Sequence, residues 1–216
     1  MTASPVSALL LDLDGTLVDS EPIHRAGFQA WFAARGWAYD DDVARVFTGR
    51  RADDVFRTVD GPWRGGDPQE MFAEIVSLVP RDRLPEPVPG ARDTIERARR
   101  AGIPLALVTS ADSRWAAKAL ASLGGLALFD TAVTRDDIER GKPDPQCYAL
   151  ACERLGADAG AALACEDAPD GVRAAAAAGV GSVVGVTTTF GAEALRGAGA
   201  TATMADLTGV PALLHA

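Results

Sequence analysis

The sequence predicts an α/β fold, in which a parallel sheet carries helices on both faces and a separate group of helices is inserted near the N-terminus. From Pro89 onward, apolar runs of strand length alternate with helical patterns that end at glycines, which is typical of a parallel sheet. Between the first strand and Pro89 the apolar residues follow helical spacing instead. Polar residues follow several of the apolar runs directly, at the strand ends where open parallel sheets bind ligands.

The first apolar run, Leu9–Leu13, indicates a buried strand that delivers two carboxylates. Asp12 and Asp14 converge on one face if the strand continues through both, whereas a turn at Gly15 carries the second carboxylate over the first. Two acids so close repel each other unless a cation or a shared proton relieves them, which suits a Mg²⁺ site or a nucleophile with an acid/base partner. A turn with solvated aspartates is the alternative.

Residues 19–85 are predicted to form an insert of four helices. Its apolar residues recur at helical spacing in four groups: Ile23, Phe28, Trp31 and Phe32; Val43, Val46 and Phe47; Val55, Phe56 and Val59; Met71, Phe72, Ile75 and Val76. Residues 18–20 and the proline-rich residues 85–89 are predicted linkers, which act as hinges that let the insert close over the strand ends. The predicted domains are therefore 1–18 with 86–216, and 19–85.

The rest of the chain is predicted to alternate between helices and strands. The predicted elements are a helix over 91–101, a strand ending at Thr109, a helix over 114–123, a strand over 131–133, a helix over 145–155, a strand over 161–165, a helix ending at Ala178 and a strand over 182–186. Their strand ends are expected at one edge of the sheet.

Three candidate groups stand at or near these strand ends. Thr109 and Ser110 place hydroxyls and backbone N–H groups where a phosphate oxygen binds. Lys142 lies in a Gly-Lys-Pro loop whose glycine and proline restrict its position. Glu166 and Asp167 form a second acidic strand end. The alternatives are a simple strand end for Thr109, a solvated lysine, and a helix N-cap for Asp167.

Taken in order, Asp-x-Asp-Gly-Thr, strand-Thr-Ser, Gly-Lys-Pro and Glu-Asp resemble the four motifs of the haloacid dehalogenase superfamily. The resemblance extends over roughly residues 7–190 and implies a Rossmann-like core with a small helical cap. It implies that Asp12 is the nucleophile that accepts a phosphoryl group and that Asp14 is the general acid/base. It assigns Thr109 and Lys142 to the transferring phosphate.

The same resemblance implies a Mg²⁺ site formed by Asp12, the backbone carbonyl of Asp14, Glu166 and Asp167. A phosphate monoester is an anion, so a carboxylate can attack it only when the charge between them is neutralised. The implied enzyme is a Mg²⁺-dependent phosphoric monoester hydrolase that works through an aspartyl-phosphate.

Substrate choice is expected to depend on the insert. A Gly-Arg-Arg segment places Arg50 and Arg51 at a predicted helix start, where they can bind substrate phosphate or hydroxyls; pairing with Asp53 or Asp54 is the alternative. Ser110 is a further predicted substrate contact. Together with residues 109–111, 166–171 and 185–189, the Gly-Arg-Arg segment is similar to the sugar- and polyol-phosphate phosphatase branch. That similarity implies glycerol phosphate, a hexitol phosphate or 2-deoxyglucose 6-phosphate as substrate, with phosphoglycolate as an alternative.

Other functions remain open. His24 lies where β-phosphoglucomutases place a hinge histidine and is a candidate substrate contact, but residues 19–88 lack the lysine that mutase caps use. Haloacid dehalogenation is disfavoured because such enzymes do not use an acid at the position of Asp14. A non-catalytic phosphate-sensing regulatory protein would be favoured by loss of Asp12 or Lys142, and both are present.

Composition narrows the partners. The 216-residue chain has a formal net charge of −9 and 24% charged residues, which disfavours a nucleic-acid partner. Its 3 cysteines match no zinc pattern. With no signal-like N-terminus and no apolar run of membrane-spanning length, a cytoplasmic enzyme without a membrane partner is expected. The expected ligand is a small phosphorylated metabolite, and the chain is expected to be a monomer or a weak homodimer.

Overall fold

A computed structural model describes residues 6–48, 50–80 and 83–214. Gly49 of the Gly-Arg-Arg segment and the outermost residues of the predicted domains lie outside the described residues. The strands are β1 (Leu9–Leu11), β2 (Val18–Asp19), β3 (Glu86–Pro87), β4 (Leu105–Val108), β5 (Thr131–Val133), β6 (Leu163–Glu166), β7 (Ser182–Val186) and β8 (Ala202–Met204). The helices are α1 (Glu21–Ala34), α2 (Asp41–Phe47), α3 (Ala52–Thr58), α4 (Pro68–Leu78), α5 (Ala91–Arg100), α6 (Ser113–Ala119), α7 (Gln146–Leu155), α8 (Pro169–Ala177) and α9 (Ala192–Ala198).

Six of the described strands form one sheet in the order β5-β4-β1-β6-β7-β8, and every neighbouring pair is parallel. The central strand β1 is buried on both faces: Leu9 and Leu11 belong to one apolar cluster and Leu10 to another. Helices cover both faces, since α5 and α6 contribute to the first cluster and α7 and α8 to the second. The predicted α/β class is confirmed, and the continuous apolar run of β1 follows from burial on both sides.

The helical insert, defined here as α1 to α4, lies between β2 and β3. It has its own aromatic core, in which Trp31, Phe32 and Phe47 are almost fully buried. The two segments predicted as linkers are instead a two-stranded antiparallel ribbon, in which Val18 pairs with Pro87. Because the two segments run side by side, some of their backbone N–H and C=O groups can bond one another. In two separate linkers the same groups would bond water.

Smaller differences from the predicted elements have local causes. The strand predicted from residue 161 begins at Leu163, because residues 159–161 form a 3₁₀ turn that Asp158 caps through Gly160 N. Neither α9 nor β8 was predicted; β8 is short and half-buried and carries little strand pattern. No described helix is both long and apolar enough to cross a membrane.

Candidate active site

Three buried carboxylates meet at the carboxyl ends of β1 and β6. Leu11 is the register partner of Cys165 in these parallel strands, so the residues that follow, Asp12 and Glu166, emerge side by side. With Asp167 they form a cluster whose carboxylate oxygens lie within 4.8 Å of one another. Each of the three is at most 6% exposed. The structure thus brings together the two acidic strand ends that the sequence singled out.

Lys142 lies inside this cluster. Its Nζ donates to Asp12 Oδ1 at 2.6 Å and to the Val108 carbonyl at 3.2 Å, and it also donates to Glu166. Burial alone would lower the pKa of the Lys142 ammonium, but the charges of Asp12 and Glu166 raise it above its ordinary value. The lysine is therefore charged and held by the fold, and the alternative of a solvated loop lysine is wrong.

The cluster fits a divalent cation. Burial, followed by repulsion from Glu166, raises the pKa of Asp12 to about 7, although Lys142 opposes the shift. Burial and the Asp12 charge raise the pKa of Asp167 well above its ordinary value. Three carboxylates face one ammonium group, and all their donor atoms are oxygens, which is the ligand chemistry of Mg²⁺. A Mg²⁺ ion at this position would relieve the repulsion among the acids.

Glycines make room for these carboxylates. A Cβ added to Gly171 would overlap the Glu166 carboxylate, and one added to Gly15 would overlap the carboxylate of Asp167. Gly15 also has a φ of 82°, a left-handed conformation that glycine adopts without strain. The N-cap of α8 is Ala168, so the alternative in which Asp167 caps that helix is wrong.

Asp14 lies outside the cluster, because β1 ends at Leu11 and a turn follows. Its Oδ1 accepts hydrogen bonds from His24 Nε2 at 3.2 Å and from Trp115 Nε1 at 2.9 Å. Burial acts to raise the pKa of Asp14, but hydrogen bonds from His24, Ser20 and Trp115 lower it overall. The turn that the sequence left open therefore carries the second carboxylate towards the helical insert.

His24, the hydrogen-bond partner of Asp14, lies on α1. Burial acts to lower its pKa, but the hydrogen bond to Asp14 and the charge of Asp14 raise it overall. The His24 ring also lies against that of Trp115, with 4.6 Å between their centroids. A histidine of the insert, a tryptophan of the core and the predicted acid/base thus form one group.

Thr109 and Ser110 follow β4 at the same sheet edge. Thr109 is 1% exposed, and its Oγ1 accepts a hydrogen bond from Ala111 N at 3.0 Å. A hydroxyl that accepts in this way can still donate its own hydrogen to a phosphate oxygen. Ser110 follows Thr109 directly, and both residues line a cavity that also contacts Asp12.

The two arginines of the insert face the sheet-end loops. Arg51 Nη2 donates to the Arg135 carbonyl at 3.2 Å, and Arg50 Nε lies 3.9 Å from Asp170 Oδ2. Asp53 instead bonds the Arg135 guanidinium at 2.7 Å. The alternative pairing of the arginines with Asp53 or Asp54 is therefore wrong, and both arginines reach across to the core.

One cavity of about 510 Å³ joins these groups. Its lining includes all ten residues that the sequence singled out: Asp12, Asp14, His24, Arg50, Arg51, Thr109, Ser110, Lys142, Glu166 and Asp167. The sequence analysis missed several residues that contact the site, among them Trp115 and Tyr148. Trp115 bonds Asp14, and the fully buried Tyr148 donates its hydroxyl to Glu166 Oε1 at 2.9 Å. The amphipathic spacing of their helices was the only signal, and it does not distinguish them from core residues.

The chain is similar to known proteins in sequence and fold. A family model described as haloacid dehalogenase-like hydrolase matches residues 6–179. The validoxylamine A 7'-phosphate phosphatase of Streptomyces hygroscopicus subsp. limoneus is 40% identical, over 93% of this chain and 94% of that protein. Hexitol phosphatase A of Escherichia coli is 33% identical, over 79% of this chain and 78% of that protein.

Among solved structures, CbbY from Rhodobacter sphaeroides in complex with phosphate superimposes with a TM-score of 0.78 and 27% identity, covering 95% of this chain and 96% of that one. The predicted family and the predicted enzyme class, a phosphoric monoester hydrolase, are both confirmed. Since the family model covers most of the chain and a relative is 40% identical over nearly its full length, the chain belongs to the haloacid dehalogenase-like hydrolases.

Proposed function

We propose that this protein is a Mg²⁺-dependent phosphatase that hydrolyses a phosphorylated carbohydrate, a sugar or polyol phosphate, through a phosphoryl group carried on Asp12. The observation that carries the proposal is the buried cluster of Asp12, Lys142, Glu166 and Asp167, which lines the cavity of about 510 Å³. Relatives named as phosphatases of phosphorylated carbohydrates and of hexitols support the substrate class.

In this proposal the phosphate of the substrate binds against the Lys142 ammonium and the Thr109 hydroxyl. Asp12, Glu166, Asp167 and the backbone carbonyl of Asp14 would hold Mg²⁺. The ion supplies positive charge that offsets the repulsion between the phosphate and the nucleophile. Lys142 stays charged throughout because its two carboxylate partners hold its proton.

The first chemical step is attack by an oxygen of Asp12 on phosphorus. A bond forms between Asp12 and phosphorus while the ester P–O bond breaks, and Asp14 donates a proton to the leaving alkoxide. The pKa of Asp14 is lowered and that of its hydrogen-bond partner His24 is raised, so the proton of the pair rests on His24 Nε2 and passes through Asp14 to the leaving oxygen. Asp14 then removes a proton from the water that attacks the aspartyl-phosphate, which releases inorganic phosphate and regenerates Asp12.

We propose further that residues 19–85 act as a cap domain on a core of 1–18 and 86–216. The ribbon of β2 and β3 joins the two parts, and Lys118 Nζ of α6 donates to the Pro80 carbonyl of the insert at 3.2 Å. Closure of the insert excludes water, and the extent of that exclusion decides whether water or a sugar hydroxyl receives the phosphoryl group. A β-phosphoglucomutase-type transfer is therefore the alternative outcome of the same site.

The test is phosphate release with Mg²⁺ from a panel of glycerol 3-phosphate, glucitol 6-phosphate, 2-deoxyglucose 6-phosphate, phosphoglycolate and β-glucose 1-phosphate. We expect hydrolysis of sugar or polyol phosphates, its loss on chelation of Mg²⁺, and at least about a thousand-fold fall in kcat for Asp12→Asn. Circular dichroism checks that the variant is folded.

Isomerised sugar phosphate with little free phosphate would identify a mutase. A preference for phosphoglycolate would overturn the carbohydrate assignment alone. No turnover of any ester by the wild-type protein would favour a regulatory role, and a folded Asp12→Asn protein with unchanged kcat would refute the nucleophile.

A further inference from the structure

Helix α4 of the insert has two apolar faces. Met71 and Ile75 are buried in the aromatic core of the insert. Phe72, Val76 and Val79 follow at spacings of four and three residues, which places them on one neighbouring face of the helix, and all three line the cavity. Val76 remains 45% exposed. The insert therefore presents an apolar stripe to the cavity in addition to the one that holds it together.

Helix α1 extends this surface. Phe28 lines the cavity, and its ring packs against Phe47 with 4.6 Å between centroids and stacks near-parallel on Tyr39 at 6.2 Å. We name Phe28, Phe72, Val76 and Val79 the apolar wall. Large apolar side chains left half-exposed beside a charged site mark a surface that a ligand covers.

The wall differs from a surface suited to an open-chain polyol. Hydroxyls on every carbon of such a chain need polar partners on all sides, and the four side chains of the wall offer none, whereas charged and hydroxyl side chains such as Arg50 and Ser110 line other parts of the cavity. A ring carries most of its hydroxyls at its edge and C–H groups on its faces, so one face can pack on an aromatic and aliphatic wall. The Arg135 guanidinium lies over one face of the Phe72 ring, 4.7 Å from the ring centroid, so a positive charge borders the wall beside any ring that packs on it.

From this wall we infer that the substrate's leaving group is cyclic, a pyranose or a carbocycle, and that it lays one C–H face on Phe72 and Val76 while its phosphate lies against Lys142. The inference rests on the proposed phosphatase function and specifies its substrate class. The cavity volume of about 510 Å³ is within the range of roughly 300–1,000 Å³ for sites that enclose drug-sized ligands. It has room for a leaving group well beyond three carbons.

The experiment compares substrates that differ in ring closure. Glucose 6-phosphate and glucitol 6-phosphate have the same carbon number and the same phosphate position, so their kcat/KM ratio isolates the ring. Trehalose 6-phosphate adds a second ring, and glycerol 3-phosphate supplies the small open-chain reference. We expect kcat/KM at least about tenfold higher for the preferred ring phosphate than for glucitol 6-phosphate, because an apolar face of this size is buried only in the cyclic substrate.

Matched variants on one helix test the wall itself. Val76→Asn places an amide on the wall, and Leu78→Asn does so at a position of similar exposure, 42%, that is not part of the cavity lining. Val76→Asn should raise KM for the preferred ring phosphate by about five- to tenfold and leave KM for glycerol 3-phosphate within about twofold. Leu78→Asn should change neither.

Equal or better hydrolysis of glucitol 6-phosphate or glycerol 3-phosphate would overturn the cyclic assignment and leave the phosphatase intact. So would a Val76→Asn effect that is the same on ring and open-chain substrates. If the wild-type protein released phosphate from no ester of the panel, both this inference and the proposed function would fall.

Discussion

The carboxylate cluster at the strand ends and the apolar wall of the insert meet in one cavity but are built differently. In the cluster, the side chains of Asp12, Lys142 and Glu166 are at most 8% exposed, and Lys142 bonds both acids directly. In the insert, Val76 is 45% exposed, and the nearest described ion-pair partner of Arg50 is 3.9 Å away. The cluster is a fixed charge arrangement, whereas the wall is a surface whose residues can change without disturbing those charges.

This difference predicts two kinds of mutational effect. Changes in the cluster should remove turnover of every substrate and alter stability, because each buried charge depends on its partners. Changes in the apolar wall and at Arg50 and Arg51 should alter the ranking of substrates and leave turnover of a generic aryl phosphate nearly constant.

The largest effect after loss of the nucleophile is expected for Lys142→Met. The variant leaves three buried carboxylates without their ammonium partner, so we expect kcat to fall by at least about a hundred-fold. The loss of a buried charge partner should also lower Tm by roughly 10 °C in the absence of Mg²⁺. Steady-state kinetics and thermal unfolding, each with and without Mg²⁺, measure these changes.

Lys118→Met is the matched control, since Lys118 is the other lysine of the chain and bonds a carbonyl rather than the acids. It should lose much less in both measurements. A Lys142→Met protein that kept more than a tenth of wild-type kcat would show that the cluster is not the seat of the chemistry.

A tenfold effect on metal affinity is expected for Tyr148→Phe. The substitution removes only the hydroxyl that donates to Glu166 Oε1 at 2.9 Å and keeps the buried ring. Substitution of a residue that orients a metal ligand typically lowers metal affinity by about ten- to a hundred-fold. Calorimetry on the substrate-free variant should therefore show Mg²⁺ binding that is about tenfold weaker. At saturating Mg²⁺, kcat should recover to within a few-fold.

A purely structural role for the Tyr148 hydroxyl would instead lower Tm and leave the Mg²⁺ dissociation constant unchanged. Cys152→Ser, four residues further along the same helix, controls for a general perturbation of α7. These outcomes separate positioning of Glu166 from packing of the core.

Smaller, substrate-dependent effects are expected for Arg50→Ala and Arg51→Ala together. Both arginines reach from the insert to the core, so their loss should change the ratio of kcat/KM between two sugar phosphates by about three- to tenfold. Turnover of 4-nitrophenyl phosphate should fall by less than about twofold. Equal losses on every substrate would place the arginines in the catalytic machinery rather than in selection.

The sequence predicted the cluster well because each of its pieces is local. An apolar run followed by Asp12, and another followed by Glu166, fixes both the strand and the end at which its acids emerge, and parallel register then brings the two ends together. The Asp14 contact with Trp115 spans 101 residues of sequence, and the contact of Arg51 with the Arg135 carbonyl spans 84. No spacing rule encodes such pairs, because the first depends on how α6 packs beside the turn after β1 and the second on how the insert lies on the core.

The apolar wall shows the same limit within one helix. Periodicity assigned Phe72 and Val76 to the insert together with Met71 and Ile75, since all four fall on the apolar side of α4. Only the packing shows that Met71 and Ile75 are buried, whereas Val76 is 45% exposed on the wall of the cavity. Likewise, residues 18–20 and 85–89 look like linkers until their pairing is seen.

The smallest expected effect is a pH-dependent difference in stability between the wild-type protein and His24→Gln. The pKa of His24 is raised above its ordinary value of 6.5 in the folded state. The stability that this group contributes is therefore fully present below pH 6.5 and is lost as the pH rises through the raised pKa. The lowered pKa of Asp14 adds stability above its ordinary value of 3.8, which is lost as pH falls through the lowered one. The pair should therefore hold the insert to the core most strongly between about pH 4 and pH 6.5.

We expect the His24→Gln variant to unfold about 2 °C lower than the wild-type protein at about pH 5.5 and to match the wild-type Tm at about pH 9. Arg64→Gln, which removes an exposed ion pair with Asp60 in the insert, should show a small difference that is constant over this range. A His24→Gln difference that was equally constant with pH would mean that His24 contributes packing against Trp115 and no charge to Asp14.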